Sequence, residues 1–373
     1  MVQKLNLFAK FIAFPIAIIY GVIVWFRNLL FDFNILRSRE FDIPVISVGN
    51  ITVGGTGKTP HVEYLVELLG AEFEVATLSR GYKRKTIGFR LVNPESTPVE
   101  AGDEPCQIKR KFENITVAVD AIRVRGIEKL QQLNPLLKVV ILDDAYQHRY
   151  VKPGINILLV DYNRPIYEDQ IIPLGRLREF AGDRDRADYI IVTKCPDTIK
   201  PIDQRLIEKR LKLYAYQTVL FTKMVYKEPK PVFPALKPAF TIDSFEKDKF
   251  AAVVVTAVAT NTSYIEFLEK KFNIIKVLAY PDHYMFKATD IHNLIEIYCN
   301  IDHPKKVIIT TEKDAVRFTT FENLEDEVKS AMYYYPIGVE FLHGAEKMFN
   351  QEMISYVRNN KPDSLLHLSK NKK

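Results

Sequence analysis

Short apolar runs recur along most of the chain, and each is followed by a longer stretch in which apolar positions return every three or four residues. The runs Ile43–Val48, Val75–Ser79, Ile115–Val119, Val139–Leu142, Ile155–Val160 and Tyr189–Thr193 read as strands. The stretches Pro60–Leu69 and Ala121–Leu133 between them read as amphipathic helices. These strands are too uniformly apolar to keep one wet face, so the alternation predicts an α/β fold with a mostly parallel sheet covered on both sides. Near Thr218–Pro234 the pattern gives way to proline- and lysine-punctuated sequence, which disfavours helix and interrupts ladder pairing. From Ala251 the alternation resumes, with strands over Val253–Val258, Ile275–Tyr280 and Val307–Thr311 and helices over Tyr264–Phe272, Asp290–Tyr298 and Ala345–Val357. The expected organisation is an apolar helix with a basic flank over residues 1–40, a first unit over 41–217, an extended junction over 218–250, a second α/β unit over 251–358 and a polar, basic tail over 359–373.

The segment Phe11–Phe26 is uncharged and mostly apolar, with Lys4 and Lys10 before it and Arg27, Arg37 and Arg39 after it. At ~1.5 Å per residue it covers ~24 Å, short of a ~30 Å hydrocarbon core unless Leu29–Phe31 are recruited. No small-residue cleavage site follows, which argues against a signal peptide. Tyr20 and Trp25 between basic flanks favour a helix in or along a bilayer interface over a buried core helix.

Composition narrows the class. The chain has 373 residues, 47% hydrophobic and 26% charged, which excludes collagen-like and disordered sequences. The net charge of +6 suits an anionic ligand or an acidic membrane surface and is too diffuse to point to nucleic acid. Cys106, Cys195 and Cys299 lie far apart and form no C-x-x-C pair, so neither a disulfide framework nor a thiolate metal site is supported, and a reducing compartment is expected. No H-x-x-x-H pair occurs, so zinc is not implied.

The most informative segment is Ser47–Pro60, SVGNITVGGTGKTP, where a strand runs into a glycine-rich turn and then a helix. Amides of residues 52–59 (Thr52, Val53, Gly54, Gly55, Thr56, Gly57, Lys58 and Thr59) suit a polyphosphate, Lys58 its outer charge, and the Thr59 hydroxyl a Mg²⁺ ion. Thr52 stands where the G-x-x-x-x-G-K-[ST] pattern has its first glycine. The strand end Thr193-Lys194-Cys195-Pro196-Asp197 approaches a guanine-reading pattern but carries its aspartate one position late, and ATP is the expected nucleotide. The strand Val139–Leu142 delivers Asp143 and Asp144 to the same sheet edge, where one carboxylate would complete the Mg²⁺ shell. Gly102-Asp103-Glu104-Pro105 reads as a loop, and His283 follows a strand of the second unit. Basic residues around Arg80–Lys85 and Arg178 suit phosphate groups, with a solvated basic face as the alternative.

Taken together, SVGNITVGGTGKTP (47–60), LSRGYKR (78–84), GDEP (102–105), DDAYQHR (143–149), LGRLRE (174–179), PDH (281–283) and TEKDAVR (311–317) resemble the tetraacyldisaccharide 4'-kinase family of lipid A biosynthesis. The resemblance implies two α/β/α units, the first of P-loop NTPase type, and peripheral attachment to the cytoplasmic face of the inner membrane; it does not imply a protein partner. It implies transfer of the ATP γ-phosphate to the 4'-hydroxyl of an acylated glucosamine disaccharide 1-phosphate. By motif, Lys58 and Thr59 bind nucleotide and Mg²⁺, Asp103 is the base with His283 orienting it, and Asp143, Asp144, Arg178 and Glu179 form the metal and phosphate set. Arg80, Tyr82, Gln147 and His148 are expected to face the substrate. Ala145 replaces the family's glycine, and the loop Ala257–Thr262 departs from its usual GIGNP-like turn. A membrane-associated ATPase switch that phosphorylates no lipid is the competing expectation.

Overall fold

The computed structural model describes residues 7–240, 244–245, 248–258, 261–282, 284–321 and 324–360. The apolar runs become strands with both faces covered. In β1 (Val45–Gly49), Ile46 and Val48 face one core while Val45 faces another, and every residue is buried. The same holds in β5 (Val139–Asp143), where Val139 and Ile141 face one side and Val140 and Leu142 the other. Two-sided burial is why no wet/dry alternation was visible in these segments.

With β2 (Val75–Ser79), β3 (Arg90–Leu91), β4 (Thr116–Val119), β6 (Ile155–Asp161), β7 (Tyr189–Thr193), β8 (Thr218–Tyr226) and β14 (Ile337–Phe341), these strands form a nine-stranded sheet ordered β14-β8-β7-β6-β1-β5-β2-β4-β3. It is parallel except at its edges, where β14 runs against β8 and β3 against β4. A second sheet of five strands has the order β11-β10-β12-β13-β9, built from β9 (Lys230–Pro231), β10 (Ala251–Thr256), β11 (Asn273–Ala279), β12 (Lys306–Thr311) and β13 (Met332–Tyr335).

The helices are α1 (Leu7–Asp32), α2 (Lys58–Gly70), α3 (Pro98–Ala101), α4 (Asp103–Lys111), α5 (Arg123–Leu133), α6 (Pro201–Leu211), α7 (Thr262–Glu269), α8 (Ala288–Cys299), α9 (Glu312–Phe318), α10 (Asp326–Ser330) and α11 (Ala345–Asn359). Helices α2, α4 and α11 share one core with the first sheet, and α5 and α6 lie over its other face.

Two stretches differ from the sequence reading. Residues 218–226 are a nine-residue strand of the first sheet rather than the start of a junction, and its partner β14 arrives from far along the chain. After the second sheet the chain therefore returns, and Phe349, Met353 and Val357 of α11 pack beside Val62, Leu65 and Val66 of α2. GDEP is not a loop: Gly102, at φ 98, ends α3, and Asp103 opens α4.

Helix α1 is long and apolar enough over Phe11–Asp32 to cross a membrane. Phe11, Phe14, Ile18, Ile19, Val22, Trp25 and Phe26 are exposed, whereas Ala13, Ala17 and Phe31 are buried. Its C-terminal half is docked by polar contacts: Tyr20 donates to the Arg178 carbonyl at 2.9 Å, and Arg27 to the Gln147 carbonyl at 2.7 Å. A soluble core helix would not leave so many large apolar side chains in water.

Candidate functional site

At the carboxyl end of β1 the chain turns through residues 50–57 and re-enters as α2 at Lys58. Gly54 and Gly57 adopt φ of 105 and 85, a region that side chains disfavour, which explains glycine at both positions. Neighbouring strand ends grip the loop by its carbonyls. Thr193 Oγ1 donates to the Thr56 carbonyl at 2.9 Å, and the Lys194 ammonium donates to the Gly55 carbonyl and to Asp161 at 2.8 Å. Because a trans peptide sets its N–H opposite its C=O, carbonyls held this way turn the amides of Thr56 and Gly57 to the other side. Behind the loop, His61 Nδ1 donates to the Gly57 carbonyl at 2.7 Å and Nε2 accepts from Thr222 at 3.1 Å. Burial pushes the His61 pKa down to about 4, so the ring is neutral.

Lys58 Nζ lies 3.6 Å from Asp144 Oδ1, and Arg178 Nη1 lies 3.4 Å from the same oxygen. Arg178 is placed there by pairing of residues 51–53 with 176–178: the Val53 amide donates to Arg176 at 2.8 Å and the Arg178 amide to Ile51 at 2.7 Å. Asp144 takes a left-handed φ of 49 directly after Asp143, the last residue of β5. The two carboxyls differ in charge preference. Burial, Asp144 and Glu104 push Asp143 up to about 7 against Lys58 and Arg123. For Asp144, burial is outweighed by Lys58 and Arg178, and its pKa falls below the ordinary range. Glu104, in the first turn of α4, is among the groups whose charge opposes ionisation of Asp143.

Five buried side-chain atoms have no hydrogen-bond partner among the described residues: Asn28 Oδ1 and Asn156 Oδ1, and, near this pair, Asp143 Oδ1, Arg123 Nε and His148 Nε2. Native proteins satisfy nearly all such atoms, so the last three mark a place where water, an ion or another polar group fits. Burial, with Arg123, Arg27 and Arg80 nearby, drives the His148 pKa down to about 4, and it is uncharged among three cations. Arg80 and Tyr82 stand at the exposed side, Tyr82 with the Lys83 ammonium 5.7 Å from its ring centre. Gln147 bridges inward instead, donating to the Asn50 carbonyl at 2.8 Å and to Glu179 at 3.3 Å. Glu179 is buried and accepts as well from Arg186 at 2.6 Å and Asn28 at 3.3 Å.

Asp103 is held by the second unit: Arg317 of α9 donates to both its oxygens, Nε at 3.1 Å and Nη2 at 2.5 Å. His283 lies outside the described residues, as do 259–260 of the loop 257–262. Sequence reasoning gave no role to Arg123, Arg317, Lys194 or Asn50; the last donates to Thr56 Oγ1 at 2.9 Å and accepts from Lys58 at 3.5 Å. Asp197 of the near-guanine pattern pairs with Lys223 at 2.9 Å, and Lys194 beside it buttresses the phosphate loop.

The family model described as Tetraacyldisaccharide-1-P 4'-kinase matches residues 9–357. The chain belongs to this family. A tetraacyldisaccharide 4'-kinase of Phocaeicola vulgatus is 47% identical over 353 residues, covering 94% of this chain and 96% of the relative. One from Bacteroides thetaiotaomicron is 44% identical over 94% of each chain, and one from Flavobacterium psychrophilum 42% identical over 92% and 96%. The fold is that of the Aquifex aeolicus LpxK crystal structure determined in complex with ATP, with a TM-score of 0.72, 24% identity, and coverage of 92% of this chain and 98% of that one. As a member of the family the chain is a phosphotransferase with an alcohol acceptor in lipid A biosynthesis.

Proposed function

We propose that this chain transfers the γ-phosphate of ATP to the 4'-hydroxyl of an acylated glucosamine disaccharide 1-phosphate at the cytoplasmic face of the inner membrane. The observation that carries the reading is the convergence of Lys58, Arg178, Asp143 and Asp144 beside a phosphate loop whose glycines hold left-handed turns. Of the expected amides of residues 52–59, that of Val53 is already given to the Arg176 carbonyl; those of residues 54–59 and Lys58 would hold the polyphosphate, and Lys58 with Arg178 offsets charge on the transferring group.

Among the described residues no three His, Cys, Asp or Glu side chains converge as a ready-made cation site. Asp143 nonetheless fits Mg²⁺, because its buried Oδ1 has no partner and its charge is disfavoured until a cation is beside it. Thr59, Asp143 and Asp144 would hold the ion, with phosphate oxygens filling the shell and Glu179 standing behind through Gln147. When bound, Mg²⁺ neutralises phosphate charge. Arg80, Tyr82, Arg123 and His148 supply a cationic recess for the anionic headgroup.

In this reading Asp103 accepts the proton of the sugar hydroxyl once Arg317 gives up one of its two bonds, with His283 as orienting partner. The exposed face of α1 keeps the cleft at the bilayer where the acyl chains reside. Incubation with γ-labelled ATP, Mg²⁺ and a detergent-dispersed acylated disaccharide 1-phosphate tests the assignment: label should enter the lipid fraction. Label released only as inorganic phosphate would instead identify an ATPase switch.

A further inference from the structure

Away from the reacting groups, one ammonium joins three helices. Lys111, at the last position of α4, forms an ion pair with Glu63 of α2 and a second, at 2.9 Å, with Glu312 of α9. All three side chains are largely buried. Their remaining oxygens are satisfied: Gln107 donates to Glu63 at 2.7 Å, and the Ile337 amide to Glu312 at 3.1 Å. Each helix also carries a member of the candidate site. Helix α2 opens with Lys58 and Thr59, α4 opens with Asp103, and α9 holds Arg317, five positions after Glu312.

Burial and Glu312 together raise the Glu63 pKa above the ordinary carboxylate range, while Lys111 opposes them. Burial likewise works against the charge on Lys111, but Glu63 and Glu312 outweigh it and its pKa rises. The charged and titratable groups facing Glu63 are Lys111 from α4, Glu312 from α9 and the Tyr334 phenol from β13. Without the ammonium, Glu63 and Glu312 would lose their common partner, and the point that ties α2, α4 and α9 together would be gone, with one carboxyl left to take up a proton.

We propose that Lys111 is a positioning residue that sets the spacing of Lys58, Asp103 and Arg317 by pinning α2, α4 and α9 at one point. The proposal rests on the reading that these residues serve one site.

Lys111→Met and Lys111→Arg test it. A small misplacement of reacting groups costs up to about 100-fold in rate, so Lys111→Met should lower kcat by about 10- to 100-fold. ATP affinity, measured by calorimetry, should stay within about twofold, because the phosphate loop is gripped separately by Thr193 and Lys194. Lys111→Arg should recover most of the kcat. A second readout needs no turnover: spin labels on cysteines replacing Glu67 of α2 and Thr320, two residues past the end of α9, in a Cys299→Ser background, should give a broader distance distribution in the Met variant and a wild-type one in the Arg variant. Glu312→Gln, which keeps the neutral hydrogen bond, provides a milder perturbation should Lys111→Met not fold, and it should broaden the distribution in the same direction. Wild-type kcat and an unchanged distribution in Lys111→Met, or in Glu312→Gln if that is the folded variant, would overturn the proposal. Failure of the wild-type protein to label lipid would overturn the proposed function instead, leaving the distance measurement to decide the positioning role.

Discussion

Arg317 closes a two-bond fork on Asp103, 214 residues away in the chain, and is in turn bonded to Asp314 on its own helix at 2.8 Å. The first acidic residue of GDEP is therefore answered by the last basic residue of TEKDAVR. Breaking one partner of a buried pair typically costs about 3–5 kcal/mol, because the other charge stays buried. Arg317→Met should thus lower the urea midpoint strongly, and adding Asp103→Asn should restore part of the loss. Strictly additive losses in this cycle would show that the two side chains are not energetically coupled.

Lys58→Ala should weaken ATP binding as well as turnover. Charge-assisted hydrogen bonds contribute about 1.5–3 kcal/mol, which corresponds to about 10- to 100-fold in affinity. Calorimetric titration measures it, and unchanged affinity would remove Lys58 from the phosphate site.

His61 makes the fold acid-sensitive. Its pKa falls from 6.5 to about 4 on folding, through burial, so between those values the unfolded chain binds the extra proton. Stability is fully present above pH 6.5 and is lost as pH falls toward 4, by on the order of 3 kcal/mol at the acid end. His61→Gln should lessen the difference between denaturation midpoints measured at pH 5 and pH 7.5.

Glutamates at Ile18 and Trp25 should detach the protein from vesicles. Each side chain is more than half exposed, and burying such groups in an apolar phase contributes about 1.5–3 kcal/mol apiece. Partitioning in a flotation assay should fall by at least about 100-fold. Turnover of a detergent-dispersed substrate should change little, since neither residue reaches the phosphate loop.

The parallel strands and the phosphate loop were legible because their signals are local: apolar runs, glycines at turns, a lysine at a helix start. What escaped the sequence depends on partners far away. Residues 218–226 read as a junction because the proline-rich stretch after them dominates the window, whereas their strand character comes from β7 on one side and β14 on the other. Asp103 read as part of a turn because Gly102 precedes it, yet the same glycine separates two helices and leaves Asp103 at the start of one. Arg123 and Arg317 lie in polar stretches that suit a solvated face, and the burial of Arg123 near Asp144 and Asp143 and of Arg317 against Asp103 is a tertiary property.

The return of the chain to its first sheet bears on how the molecule is made. Strand β8 is complete when residue 226 leaves the ribosome, but its outer edge has no partner until Ile337–Phe341 emerge. The nucleotide-gripping half thus waits for the other half to be synthesised before it can close. A nascent chain stalled anywhere within the intervening stretch would expose an unsatisfied strand edge to chaperones or to its neighbours.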